Sequence, residues 1–187
     1  YGGHGYISDH GMEQLVRDAR IAPIYEGTNG IQALDLVGRK MPMHTGRLLK
    51  SFFHEVKDYL EKNSFNYNLN EFIPPLAKSF GRLQKVTSFL ASKGLINPDE
   101  VAGPAVDYLK MFSLVSIGYI WTRYVEISIN KQNDDDPDYF YKAKIASGKY
   151  YMAKILPETG SLMSSILSGA KFYNEYNDEY FDLGFKL

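Results

Sequence analysis

The sequence contains no cysteine, which excludes disulfides, thiolate nucleophiles and Cys-ligated zinc or iron–sulfur centres. It also lacks a charge bias: 21 Lys plus Arg stand against 22 Asp plus Glu, a net charge of -1. That balance removes the electrostatic argument for nucleic acid or an anionic membrane surface as a partner. Long apolar runs are missing as well. The uncharged stretch over residues 111–122 is about a dozen residues, short of the roughly 20 that span a bilayer, and reads as a buried helix. No basic segment followed by an apolar one opens the chain, so no signal peptide is expected. Neither G-x-x-x-x-G-K-[ST] nor G-x-S-x-G occurs, which removes the simplest NTPase and serine-hydrolase readings. None of His4, His10, His44 and His54 belongs to an E-x-x-H pair, and no metal site is expected.

What is present describes a globular, helical protein. The 187 residues suffice for one large or two small domains, and 44% apolar with 23% charged residues is a folded composition. Fifteen Tyr, 11 Phe and one Trp supply large rigid groups for a core. The glycines divide the chain in two: seven of 16 fall within residues 1–42, marking loops with tight bends or close approach to a ligand. From about 43 onward, apolar residues recur every three or four positions.

The spacing predicts a short helix over 12–21 with Leu15 and Ala19 facing inward, limited by Pro23. Thr28 or Asn29 then caps a second helix through Ile31, Leu34 and Val37, with Arg39 and Lys40 near its end and Pro42 closing the segment. Leu49, Phe52, Phe53, Val56, Tyr59 and Leu60 form one buried helical face. Leu76, Phe80, Leu83, Val86 and Leu90 form another, after an interruption at Pro74-Pro75. Asn97-Pro98-Asp99-Glu100 reads as a helix start, with the helix running to about Ile129. Asp134-Asp135-Asp136-Pro137 reads as the next start, a capping cluster on a solvated face, with its helix continuing to about Leu156. Pro157 ends that helix and a last one covers 161–174. Ser113, Ser116 and Gly118 suggest close helix–helix packing. Strand-like alternation is scarce, so the expected class is all-α.

Two segments carry candidate chemistry. Tyr1-Gly2-Gly3-His4-Gly5-Tyr6 is glycine-rich but lacks the G-x-G-x-x-G spacing and a preceding strand, so it reads as a flexible turn or a phosphate-cradling loop. Glu26 lies in Ile24-Tyr25-Glu26-Gly27-Thr28-Asn29-Gly30, two residues before a helix cap. A carboxylate there sits beside free backbone N–H groups that polarise a carbonyl, while the carboxylate takes a neighbouring proton. Spacing alone favours a solvated loop glutamate.

Taken together, the G-G-x-G-Y turn, Glu13, Arg17-Asp18-Ala19-Arg20-Ile21 and Ile24-Tyr25-Glu26-Gly27-Thr28 resemble the C-terminal end of acyl-CoA dehydrogenases over about residues 1–40. The continuation Ala33-Leu34-Asp35-Leu36-Val37-Gly38-Arg39-Lys40 is similar to the large bacterial members, such as the 3-methylmercaptopropionyl-CoA dehydrogenase type, which add a helical domain. The resemblance implies that residues 1–42 end the C-terminal helical bundle of the dehydrogenase and residues 43–187 form an additional helical-bundle domain. The chain is then the C-terminal portion of a longer polypeptide and inactive by itself. The implied reaction is FAD-dependent α,β-desaturation of an acyl-CoA thioester within fatty acid β-oxidation. Glu26 is the implied base for the α proton and the flavin the hydride acceptor. Tyr25 and Gly27 are implied to lie against substrate. Gly2, Gly3, Thr28, Asn29 and Gly30 are implied to contact FAD, Gly2 and Gly3 that of a neighbouring subunit.

Further implications are a homo-oligomer (a dimer or dimer of dimers), electron-transfer flavoprotein or another electron acceptor, and the bacterial cytoplasm or the mitochondrial matrix. The alternative is a helical module for interaction or oligomerisation, without chemistry, centred on residues 43–187.

Overall fold

The computed structural model describes residues 1–25, 28–132, 139–177 and 179–180. It is all-α, with no strand among the described residues. The helices are α1 (Met12–Arg20), α2 (Asn29–Asp35), α3 (Met43–Lys62), α4 (Ile73–Gly94), α5 (Asp99–Ala102), α6 (Ala105–Lys131), α7 (Phe140–Tyr150), α8 (Thr159–Leu167) and α9 (Lys171–Asn174). Alpha-helical α2 and α7 are prolonged by π-turns, Leu36–Lys40 and Tyr151–Ile155.

The longest described helix, α6, takes the middle, with α2, α4, α7 and α8 packed on it. The predicted face of α4 is buried in full, Leu76, Leu83, Val86 and Leu90 being at most 1% exposed. Pro74 and Pro75 do not interrupt it. They occupy its first turn, where a missing amide hydrogen costs nothing. In α3, Val56 is buried and Phe52, Phe53, Tyr59 and Leu60 pack around it. This helix reaches α6 through side-chain hydroxyls: Tyr59 donates to Glu126 Oε2 and Tyr119 to Glu55 Oε1, both at 2.9 Å. The two rings meet edge to face at 5.3 Å. Burial pushes the Tyr59 and Tyr119 phenols upward, and the carboxylates they bond add to it. Deeper inside, burial pushes Tyr108 up to about 12, against the pull of its hydrogen bond with Thr87.

Two predicted boundaries move. The helix starting at Asp99 does not run to 129. It stops after one turn, because Pro104 removes an amide and its ring crowds the carbonyl four residues back. Pro98 takes its N-cap position, and one residue earlier Asn97 Oδ1 accepts from Asp99 N at 3.0 Å. Near the end, Gly169 turns left-handed (φ +72°) and splits the predicted 161–174 helix into α8 and α9. Residues 44–46 adopt left-handed dihedrals at the start of α3, His44 and Thr45 with φ of 51° and 58°. Gly46 N closes that turn onto Pro42 O at 3.3 Å. The aspartates 134–136 lie outside the described residues.

Of the small residues in α6, Gly118 makes the close approach: Leu76 from α4 and Leu156 lie over it, 3.3–3.6 Å from where a Cβ would stand. Ser113 is exposed. The opposite side of α6 stays open and apolar. Ile117, Ile120, Tyr124 and Ile127, alternating three and four apart, are each 42–51% exposed.

Candidate functional site

The glycine-rich opening folds as a 3-10 turn, Gly2–Tyr6, with Gly2 left-handed at φ +55°. His10, from the next 3-10 turn, stacks on Tyr1 at 5.1 Å and meets His4 edge-on at 6.2 Å. No atom lies within 4 Å of a Cβ built at Gly2 or Gly3, so the backbone there is open to close approach. Among the described residues no group of three or more His, Asp or Glu gathers to hold a metal ion.

Helix α1 forms over nearly the predicted span, after a left-handed Gly11. Its polar side is tied locally: Arg17 reaches Glu13 at 3.4 Å and Gln14 donates to Asp18 at 2.8 Å. The predicted inward side is not inward in this chain. Leu15 is 62% exposed, and Val16 and Ala19 are exposed with it; among the described residues α1 packs chiefly on the two turns before it. The helix is amphipathic, and no described element buries its apolar side.

Tyr25 ends a turn closed by its N–H onto Ile21 O at 3.1 Å, and its ring is 53% exposed. Glu26 and Gly27 lie outside the described residues. The chain resumes at Thr28, whose extended backbone (φ -70°, ψ 168°) takes the N-cap position of α2 and whose carbonyl accepts from Gln32 N at 3.0 Å. The capping is by backbone position; the Thr28 side chain makes no capping hydrogen bond. Asn29 and Gly30 form the first turn. Thr28 and Asn29 are exposed, and a Cβ at Gly30 would meet only Thr28 Oγ1, at 3.8 Å. The structure thus sets Thr28, Asn29 and Gly30 together on one helix end, with Tyr25 leading into it. It does not pack the Gly2–Tyr6 turn against them.

Sequence reasoning missed what holds that helix end in place. Ala33, Val37 and Met41, four apart, are buried at 0%, 7% and 8% in the core that α4 and α6 build. The four-residue spacing was the available signal, hidden by the larger Ile31 and Leu34, which are 55% and 44% exposed. Helix α2 therefore has two apolar faces, one buried in this chain and one open. Asp35 fixes its other end, accepting from Arg39 Nη2 at 2.9 Å, and that hydrogen bond holds the Asp35 carboxyl below the usual carboxylate range.

Among the described residues, the anchored end of α2 is exposed, and apolar residues of α1 and α2 stand open to solvent. The comparisons identify the family. Residues 52–175 match the family model described as "Acetyl-CoA dehydrogenase C-terminal like", and residues 1–41 that described as "Acyl-CoA dehydrogenase, C-terminal domain". The chain belongs to the acyl-CoA dehydrogenase family. It is 28% identical over 160 residues to a butyryl-CoA dehydrogenase of Syntrophomonas wolfei, covering 83% of this chain and 26% of the relative. Over 170 residues it is 28% identical to a 3-methylmercaptopropionyl-CoA dehydrogenase of Ruegeria pomeroyi, covering 89% and 28%. A short segment of 34 residues is 59% identical to an acyl-CoA dehydrogenase of Bacillus subtilis, covering 18% and 9%. The chain spans about a quarter of the length of the longer-matching relatives. No helix among the described residues is long and apolar enough to cross a membrane.

Proposed function

We propose that this chain is the C-terminal part of an FAD-dependent acyl-CoA dehydrogenase, in which Glu26 removes the α proton of an acyl-CoA thioester. Residues 1–42 complete the catalytic helical domain and residues 43–187 form an added helical domain. The observation that supports the reading is the place of Thr28, the residue that follows Tyr25-Glu26-Gly27 in the sequence: it takes the N-cap of α2, a helix fixed from behind by Ala33, Val37 and Met41. Backbone N–H groups at such an end favour negative charge on a thioester oxygen, which is where it develops as the α proton leaves.

The residues at the opening of α2 suit a flavin edge. Thr28 and Asn29 offer exposed, unengaged polar groups, and Gly2, Gly3 and Gly30 leave room for backbone approach. FAD, when bound, supplies a hydride acceptor for the β hydrogen. The contribution of these residues is to hold and orient, and that of Glu26 is to accept the proton. Tyr25 and Gly27 stand against the acyl portion. Because every described member of this set lies on an open surface, the 187-residue chain by itself is expected to be inactive. The test is to purify the polypeptide that joins this chain to a preceding dehydrogenase region and release its chromophore by heat. FAD in about equimolar amount is expected; a colourless, nucleotide-free protein overturns the cofactor assignment.

A second reading, for the added domain, is assembly, and the open stripe Ile117, Ile120, Tyr124 and Ile127 favours it. A three–four alternation of exposed apolar residues is the seam on which one helix packs against another. Ile120→Asp with Ile127→Asp is expected to lower the molar mass of the particle in solution with its helicity intact. An unchanged mass removes the stripe from any subunit interface.

A further inference from the structure

A cleft far along the chain from Glu26 carries a separate inference, independent of the dehydrogenase reading. The first turns of α4 face the π-turn Tyr151–Ile155 and the 3-10 turn Leu156–Glu158, and a cavity of about 400 Å³ opens between them. That volume lies in the range of small-molecule sites. Pro74, Pro75, Met152 and Pro157 give it an apolar wall, and Lys78 and Arg82 give it two cations.

Arg82 is built into this place. It is half-buried, and its Nη1 donates to Thr159 Oγ1 at 3.0 Å. Thr159 is fully buried, and its hydroxyl has Leu156 O at 2.8 Å and Ser79 Oγ at 3.2 Å as acceptors for its own proton, which leaves its oxygen to accept from Arg82. The guanidinium passes over Gly160, where a Cβ would stand 3.2 Å from Nη2 and 3.4 Å from Nη1. A hydroxyl satisfies one of five guanidinium N–H donors. Among the described residues no carboxylate comes within ion-pair distance of Arg82 or Lys78. The nearby acids are already taken, Glu158 by Lys110 and Glu71 by Lys149. Lys78 and Arg82 also stand four apart on one helix, a spacing at which like charges repel. An anion between them removes that repulsion, and the apolar wall requires that the anion carry a hydrocarbon body.

We propose that this cleft binds a medium-chain carboxylate. Its head bridges Arg82 and Lys78, and its tail lies along Pro74, Pro75, Met152 and Pro157. The flat two-pronged guanidinium matches a carboxylate with two parallel hydrogen bonds. The experiment titrates the whole polypeptide that carries this chain with octanoate, octanol and inorganic phosphate, following the methyl resonance of Met152. Octanoate is expected to shift that resonance saturably. Octanol, with the same tail and no charge, is expected to bind at least about tenfold more weakly. Phosphate at equal concentration should leave octanoate bound. Arg82→Gln should weaken octanoate by about tenfold or more. Gly160→Ala, which displaces the guanidinium without removing it, should weaken octanoate severalfold with the helical circular dichroism unchanged. Octanol binding as well as octanoate overturns the proposal without any variant. Displacement of octanoate by phosphate, or full affinity in Gly160→Ala, overturns it equally.

Discussion

Glu26→Gln, in the polypeptide that unites this chain with the rest of the dehydrogenase, is expected to keep FAD bound and to slow flavin reduction by acyl-CoA at least about 10²–10⁴-fold, the scale of general-base catalysis. Gln has the shape of Glu and keeps a carbonyl oxygen, so the loop and the cofactor edge around it need not change. What is lost is the ability to take a proton. The size of the effect depends on how basic the carboxylate becomes. A solvated glutamate titrates near 4.3 and is a feeble base toward a carbon acid. Two influences then compete at the opening of α2. The helix N-terminus stabilises the carboxylate by about 0.3–1 kcal/mol and lowers its basicity. Desolvation beneath an acyl chain raises the pKa by up to several units, each worth about 1.4 kcal/mol. Desolvation therefore prevails once substrate is in place. Stopped-flow absorbance of the flavin under anaerobic conditions measures the rate, and near-native reduction by Glu26→Gln removes Glu26 from the base's role.

Leu76→Ala is expected to have the largest effect on folding, about 3–4 kcal/mol of stability. Leu76 is fully buried where α4 crosses α6, its Cδ1 lying over the bare Cα of Gly118 with Leu156 beside it. The lost transfer free energy of the removed carbons is only part of that figure. The remainder is the cavity, and here the walls have little freedom to close: Gly118 has no side chain to move, and α8 packs on both α4 and α6. For a chain of this size the loss corresponds to a fall in Tm of about 10 °C. Thermal unfolding followed by circular dichroism checks it. A change below about 1 kcal/mol would mean that the crossing at Gly118 is loosely packed.

The helices were legible because their signal is local. Leu76, Phe80, Leu83, Val86 and Leu90 state the buried face of α4 by spacing alone, and Asn97-Pro98 announces the helix start found at Asp99. Less legible was whatever depends on what stands opposite. The pattern of α1 shows that it has an apolar side but not what covers it, so Leu15 was expected inside and is exposed here. Ala33 looked incidental beside Ile31 and Leu34, although it is the residue with no exposure, since only a small side chain lets α2 approach the core closely. The left-handed turn at His44, Thr45 and Gly46 had a glycine to mark it but no reason in propensity for His44 and Thr45 to follow, at a cost of about 1–2 kcal/mol each. For the candidate site the limit was chemical. A glutamate before a helix cap resembles any loop glutamate, and only the run of motifs around it singled Glu26 out. The cleft at Arg82 left no trace in spacing, because Thr159 and Gly160 lie 77 and 78 positions further along the chain.

The central claim, that these residues complete an acyl-CoA dehydrogenase, is tested most directly by anaerobic titration of the whole polypeptide with acyl-CoA thioesters of increasing chain length, reading the visible flavin band. Bleaching by at least one thioester, abolished in Glu26→Gln, is the result predicted. A flavin band that no acyl-CoA diminishes would contradict it and leave assembly as the role of this chain.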